Sequence, residues 1–318
     1  MDVSLKETAR LLSKADRIVI TGHVNPDGDC LGSMLALHAL LAAKKKAAVL
    51  LLADDVPSLY SFMPGSDLIG RPGSEKLAAD LLVVVDASDA ERVAEVRAVV
   101  DAKVLNIDHH ISNTRFADYL CLDTQAAATG ELILELIYLL KVPLTADMAT
   151  NLYTAIATDC GFFRYANTTA ATLRHAADLV DRGASPHIIS ENLETKPLAS
   201  IMTLKRVLDT LEVYADGRIA AITVAPDGPE GPTDTTEGLI NYPRNIEGVE
   251  IAIMFKPVDD TATRVSFRSR RADVSRLALA FGGGGHQRAA GCTVGGGVDA
   301  AKAAVLKAAM KLLAGIEQ

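Results

Sequence analysis

The sequence contains no tryptophan, and aromatic residues fill only 4 % of its 318 positions. So little aromatic content beside so much Ala, Leu and Val argues against a β-sandwich and for helices packed on a sheet. Positive charge is also short: 32 Lys and Arg face 40 Asp and Glu, a formal net charge of −8. A chain of that sign does not coat long duplex nucleic acid by charge alone, although a local basic pocket can still hold a small anion. The four cysteines, Cys30, Cys121, Cys160 and Cys292, contain no CxxC pair. That argues against a disulfide scaffold or a thiolate metal site and for a reducing, cytoplasmic setting. No basic-then-apolar leader follows Met1-Asp2, and the most apolar stretch, Leu31 to Ala43, is too short to cross a bilayer and carries His38. No membrane partner is expected. Phosphate-binding fingerprints are missing too: there is no Gly-Lys-Ser/Thr loop and no GxGxxG spacing.

What is present points to an α/β protein of two domains. At 49 % hydrophobic the chain is too apolar to be disordered, and its length exceeds a typical single core. Short β-branched runs alternate with helical patterns through the first half. Arg17 to Thr21, Ala47 to Leu52, Asp80 to Val85 and Lys103 to Ile107 read as strands. Leu31 to Ala43 reads as a helix, and helical pattern resumes from Ala90. Such alternation implies right-handed crossovers and a mainly parallel sheet flanked by helices. Helices dominate from Thr129 to about Leu211, with Thr145 to Thr158 strongly periodic and Ser185-Pro186 placed to open another. The texture changes near Asp216-Gly217. Strands are expected at Arg218 to Val224, Val249 to Lys256 and Thr263 to Phe267, a loop at Pro226 to Pro232, and helices at Asp273 to Phe281 and Asp299 to Leu313. The boundaries drawn are 1–186 for the first domain, 187–215 for a helical linker, and 216–318 for a smaller α/β domain.

Four segments gather carboxylates and imidazoles at the ends of these elements. They are His23-Val-Asn-Pro-Asp27-Gly-Asp29, Val85-Asp86-Ala-Ser-Asp89, Asn106-Ile-Asp108-His109-His110 and Thr158-Asp159-Cys160-Gly161. Carboxylates so close repel unless a cation sits between them. Asp86 follows a buried strand, where ligands bind in open α/β sheets, whereas Asp89 suits a helix cap. Adjacent histidines project differently, so one can ligate while the other faces a substrate. Imidazole with carboxylate oxygen suits two divalent ions, Mn²⁺ foremost, with Mg²⁺, Co²⁺ or Zn²⁺ as alternatives.

A second concentration lies far along the chain. Between Arg264 and Arg288 six Arg face one Asp, and Phe281 is followed by Gly282-Gly-Gly-Gly285-His286. Arg forks match phosphate oxygens, and successive glycine N–H groups can form an anion nest.

Taken together, these motifs resemble the DHH/DHHA1 phosphoesterase superfamily, in particular its stand-alone oligoribonuclease and 3′-phosphoadenosine-5′-phosphate (pAp) phosphatase type. The resemblance rests on His23-x-x-Pro-Asp27-x-Asp29, Val85-Asp86, Asp108-His109-His110, Thr158-Asp159 and Gly-Gly-Gly-His286, and covers nearly the whole chain. It implies one metal on His23, Asp27 and Asp86 and a second on Asp29, Asp86, His109 and Asp159, with Asp86 bridging. It implies that His110 faces the phosphate, that Asp108 orients the histidines, and that Arg268, Gly284, Gly285 and His286 bind substrate. The implied activity is two-metal hydrolysis of short single-stranded RNA and of pAp in the cytoplasm, with a homodimer left open. The chain departs from the pattern at Ala155 and Cys160, where Gly and Thr are expected. Rival readings are a phosphodiesterase for c-di-AMP or linear dinucleotides, a manganese pyrophosphatase, and a non-catalytic nucleotide-binding module.

Overall fold

A computed structural model of the chain describes residues 1–224 and 238–315. The loop expected at Pro226 to Pro232 lies outside them. The chain divides into two units, Met1–Thr195 and Lys196–Gln318.

The first unit runs α1 (Leu5–Lys14), β1 (Arg17–Thr21), α2 (Gly28–Ala43), β2 (Ala47–Leu51), β3 (Ile69–Gly70), β4 (Leu77–Val85), α3 (Ala94–Val99), β5 (Val100–Asp108), β6 (Tyr119–Leu122), α4 (Thr129–Leu139), α5 (Ala146–Asp159), α6 (Ala170–Asp181) and α7 (Pro186–Glu194). Its six strands lie in the order β3-β2-β1-β4-β5-β6, every neighbouring pair parallel. The order reverses between β1 and β4, and a crevice opens at the carboxyl ends of strands at such a reversal. Both motifs that follow these strands, His23 to Asp29 and Asp86, therefore start at that crevice.

Alternation along each strand splits the core into two layers. Ile18, Ile20, Leu81, Val83, Val85, Leu105 and Ile107 face the thick helical side with α2, α4 and α5. Val19, Leu82, Val84 and Val104 face a thinner layer with Val93 and Val96. Because β4 is covered on both faces, its end reads as an unbroken apolar run. The α2 helix is buried from Gly28 through Leu37 without interruption. It starts three residues earlier than the apolar pattern suggests, because Asp27 caps it by accepting from the Asp29 and Cys30 amides, each at 3.0 Å. Close approach of the three central helices depends on two glycines. A Cβ at Gly32 would stand 2.3 Å from the Asn151 carbonyl oxygen, and one at Gly130 would stand 2.8 Å from the Ala155 methyl. Ala155, where the family pattern has Gly, fits because its two neighbours have no side chain.

The second unit runs α8 (Leu198–Leu208), β7 (Glu212–Tyr214), β8 (Ile219–Thr223), α9 (Asn241–Arg244), β9 (Ile251–Asp259), β10 (Ala262–Ser269), α10 (Ser275–Ala280), β11 (Gly284–His286), β12 (Ala289–Gly295) and α11 (Val298–Ala314). Its sheet has the order β11-β12-β10-β9-β8-β7. Only β8 and β9 pair in parallel; the other neighbours are antiparallel. Helices α10 and α11 cover one face over Phe255 and Phe267. The stretch 187–215, read from sequence as a linker, is divided between the units. Helix α7 buries Ile189 and Leu193 in the first core, and α8 buries Val207 in the second. No helix among the described residues is long and apolar enough to cross a membrane.

Candidate metal centre

The six acidic and imidazole residues singled out as ligands converge at the carboxyl ends of β1, β4 and β5, with one further contribution from the end of α5. His23 follows β1 and is buried; its Nδ1 lies 2.8 Å from the Val24 carbonyl oxygen. A carbonyl only accepts, so the ring proton sits on Nδ1 and Nε2 is left to coordinate. Nε2 faces Asp86 Oδ2 at 3.5 Å and Asp27 Oδ1 at 3.7 Å. His109 is built the same way. Its Nδ1 meets the Ala126 carbonyl oxygen at 3.2 Å, and its Nε2 faces Asp159 at 3.5 Å, Asp86 Oδ1 at 3.7 Å and Asp29 at 3.9 Å. That nitrogen is buried and has no hydrogen-bond partner. A buried polar atom left without a partner costs free energy unless something unseen satisfies it, and a cation would do so here.

Asp86 stands between the two histidines, Oδ2 toward His23 and Oδ1 toward His109. It takes this position with a left-handed backbone, φ 55°, directly after β4, a conformation that Asp tolerates better than most residues. Thr129 Oγ1 donates to Asp86 Oδ1 at 3.0 Å. Asp29 is almost wholly buried. Its Oδ2 accepts from the Thr129 amide at 2.6 Å, and its Oδ1 from the Gly130 amide at 2.9 Å and from Ser33 Oγ at 3.1 Å. Helix α4 lacks a side-chain cap of its own at Ala128, so Asp29 caps it from another element, carboxylate against the positive end of the helix. Ligand atoms of His23, Asp27 and Asp86 fall within 4.8 Å of one another, as do those of Asp29, His109 and Asp159. Each of these groups could hold a divalent cation, and Asp86 lies beside both histidines.

Without a cation, this crowd of like charges distorts its own titration. Burial, then the charges of Asp86 and Asp159, push Asp29 far above the usual carboxylate range. Burial is also the first cause that lifts Asp159 to about 6. Burial pushes His23 down, but contact with Asp27 and Asp86 outweighs it and raises the imidazole to about 10. Each shift says that the pocket is short of positive charge.

Asp108 and His110 adjoin the coordinating set: His110 offers a ligand atom within 4.8 Å of those of Asp86 and His109, and its Nδ1 lies 3.6 Å from Asp86 Oδ1. His110 Nδ1 bonds Asp108 Oδ1 at 2.7 Å, and Asn113 Nδ2 donates to Asp108 Oδ2 at 2.6 Å and to Asn106 Oδ1 at 2.8 Å. Burial alone would raise Asp108; these bonds overcome it and hold the carboxyl low. The same Asp108 bond raises His110 against the opposing effect of burial. A proton held on Nδ1 by Asp108 removes that atom as a ligand and leaves Nε2 free to act. Asp89 accepts from the Glu91 and Arg92 amides at 3.0 and 3.1 Å, holding the turn ahead of a short helix at Glu91–Val93 whose N-cap position is Ala90. Cys160 is buried, with its thiol pushed up by burial and its Sγ accepting from the Phe163 amide at 3.3 Å. It is a turn-stabilising residue with little thiolate character.

In the second unit the glycine run is not the anion nest expected. Gly282 and Gly283 close α10 by donating to Leu279 and Ala278 carbonyls at 3.1 and 2.8 Å, a two-bond helix end that needs the positive φ of 72° at Gly282. Gly284 to His286 then form the edge strand β11. Arg268 pairs with Ala289, and Ala289 with His286, so both side chains belong to one row on one face, with Gly284 two positions along. Gly285 belongs to the opposite row, where a Cβ would stand 2.5 Å from the Ala290 Cα. Arg268 is half-buried, and burial with the charge of Arg244 depresses its pKa. Arg244 was not singled out from sequence, since a lone Arg in Asn-Tyr-Pro-Arg carries no signal.

Comparisons with known proteins agree with this geometry. Residues 17–156 match the DHH family N-terminal domain and residues 216–315 match the DHHA1 domain. A protein of Thermus thermophilus named bifunctional oligoribonuclease and PAP phosphatase NrnA is 36 % identical over 92 % of this chain and 88 % of its own length. Its namesake in Bacillus subtilis is 29 % identical over 91 % and 92 %. The crystal structure of an exopolyphosphatase-related protein from Bacteroides fragilis superposes with a TM-score of 0.87 at 25 % identity, covering 96 % of this chain and 95 % of that one. With both domain matches, close relatives along its length and an acidic-imidazole centre at the sheet reversal, the chain belongs to the DHH/DHHA1 family of metal-dependent phosphoesterases.

Proposed function

We propose that this chain hydrolyses short oligoribonucleotides to mononucleotides and removes a phosphate from pAp, using two divalent cations, with manganese the preferred pair. The observation that carries this reading is Asp86, whose two carboxylate oxygens face the histidines of two separate ligand groups. The names of the two relatives support the substrate class. His23, Asp27 and Asp86 would hold one cation, and Asp29, Asp86, His109 and Asp159 the other. Bound there, the ions would supply Lewis acidity to the phosphoryl oxygens and make water nucleophilic near neutral pH.

The remaining chemistry belongs to the protein. His110, kept protonated on Nδ1 by Asp108, presents Nε2 as the group that hands a proton to the leaving sugar oxygen. Asn113 and Asn106 keep the Asp108 carboxylate from turning away. In the second unit, Arg268 and His286 bind a phosphate and a base of the substrate, beside the small residues Gly284 and Ala289. Four free cysteines among the described residues agree with a cytoplasmic place of action. The test is a panel of di- to pentaribonucleotides, pAp, cyclic and linear dinucleotides and pyrophosphate, each incubated with Mn²⁺ and the products identified by mass. Mononucleotides from the short RNA and AMP from pAp are expected. Turnover confined to cyclic dinucleotides or to pyrophosphate would overturn the substrate assignment.

A further inference from the structure

Resting on the two-cation reading, we infer that Asn167 and the Glu131–His175 pair are positioning residues for the Asp29–His109–Asp159 group, acting through the turn at residues 126–128. That turn touches much of the centre. Its Ala126 carbonyl fixes His109 by Nδ1, and the residues that immediately follow it donate to Asp29 and Asp86. A small displacement of the turn would move three ligands at once.

Each side of the turn is held by a group that is not itself a ligand. The Ala127 amide donates to Glu131 Oε2 at 2.8 Å, and the Ala127 carbonyl accepts from Asn167 Nδ2 at 3.0 Å. Both hydrogen-bonding groups of this fully buried residue are therefore gripped from outside the turn. Asn167 Nδ2 also reaches the Asp159 carbonyl at 3.3 Å, joining the turn to the remaining ligand of the group. The other Glu131 oxygen, Oε1, meets His175 Nδ1 of α6 at 3.2 Å, so the carboxylate is anchored as well as anchoring. Glu131 is 5 % exposed. Burying a carboxylate gives little stability over an apolar side chain of similar size. What a carboxylate does that a leucine does not is hold the Ala127 amide in one place. The partners that orient metal ligands commonly matter about 10- to 100-fold in affinity. None of these three residues contacts the His23–Asp27 side.

The test uses the full chain stripped with a chelator and titrated with Mn²⁺ by equilibrium dialysis, with electron paramagnetic resonance on the same samples. The parent protein is expected to take up two ions and show an exchange-coupled spectrum. Asn167→Ala and Glu131→Ala are expected to weaken the Asp29–His109–Asp159 ion by about 10- to 100-fold and the His23–Asp27 ion, which the turn reaches only through the shared Asp86, far less, so that an isolated-ion spectrum replaces the coupled one. Glu131→Gln, which keeps an oxygen for the Ala127 amide, is expected to retain both ions. Should Glu131→Ala not fold, Asn167→Ala decides, since it deletes only an exposed amide. Two ions at parental affinity in Asn167→Ala, or equal loss of both, would overturn the inference while leaving the two-cation centre standing. A parent protein that takes up no manganese would instead overturn the centre itself, and the inference with it.

Discussion

The rim of the first unit and the glycine-rich edge of the second carry their polar residues in opposite ways. On the rim, Asp29, Asp86, Asp108 and His23 are each no more than 3 % exposed, and each has internal partners. On the edge, Gly284 to His286 are exposed, and among the described residues the guanidinium of Arg268 bonds the Phe267 carbonyl at 3.0 Å. Atoms that react must be placed in advance, because a small error in position costs rate steeply. A surface that only grips can stay open until its ligand arrives, and the cost of ordering it then appears in affinity. Changes on the rim should therefore act on turnover, and changes on the edge on binding.

The strongest blow to that division is Asp86→Asn. Asparagine accepts the left-handed backbone at this position, so the fold is kept while the shared negative charge is lost. Turnover of short RNA should fall by more than about a thousandfold, the several kcal/mol that metal charge stabilisation supplies, while thermal unfolding stays cooperative. Turnover within about tenfold of the parent would remove Asp86 from its shared role. A smaller effect is expected on the edge. Arg268→Ala should raise the KM for a trinucleotide by about 10- to 100-fold through loss of a charged hydrogen bond, with kcat little changed. A generic diester such as bis-p-nitrophenyl phosphate should barely notice. Equal losses on both substrates, or a loss in kcat alone, would erase the contrast between the two regions.

The gentlest test follows protons. With no cation bound, His23 holds its proton up to about pH 10 and Asp159 holds one up to about 6. At about pH 8, Mn²⁺ uptake should expel at least one proton, that of His23, because only neutral imidazole coordinates, and any proton that the raised Asp29 carboxyl still holds adds to it. Below about 6 the Asp159 proton must leave as well, so affinity weakens as pH falls. Calorimetry in two buffers of different ionisation heat counts the protons. No release at about pH 8 would take His23 out of the ligand set.

Much of this was legible in the sequence because the chemistry and the topology leave marks at the same places. The β4 run is uniformly apolar since both its faces are covered, and the acid that follows it lands at the sheet reversal. Supports were not legible. Asp29 is held by backbone amides about a hundred positions away, at Thr129 and Gly130, and an amide has no letter of its own. A weak trace did exist: Ala128 is a poor helix cap, which hints that something else caps α4. The glycine run misled for a related reason. Gly283 and Gly285 exist for close contact with β12, and composition does not distinguish room for a neighbouring strand from room for a ligand. Short or edge strands such as β6 and β7 were passed over because few residues mark them.

The parallel sheet also bears on how the centre comes into being. Its first ligand is His23 and its last is Asp159, and β1 can pair with β4 only after everything between them exists. At about 5–20 residues per second of synthesis, the earliest of these side chains waits roughly seven to twenty-seven seconds for the latest. A nascent or truncated chain that stops short of the end of α5 lacks Asp159 and keeps the His23–Asp27–Asp86 group without a complete Asp29–His109–Asp159 group.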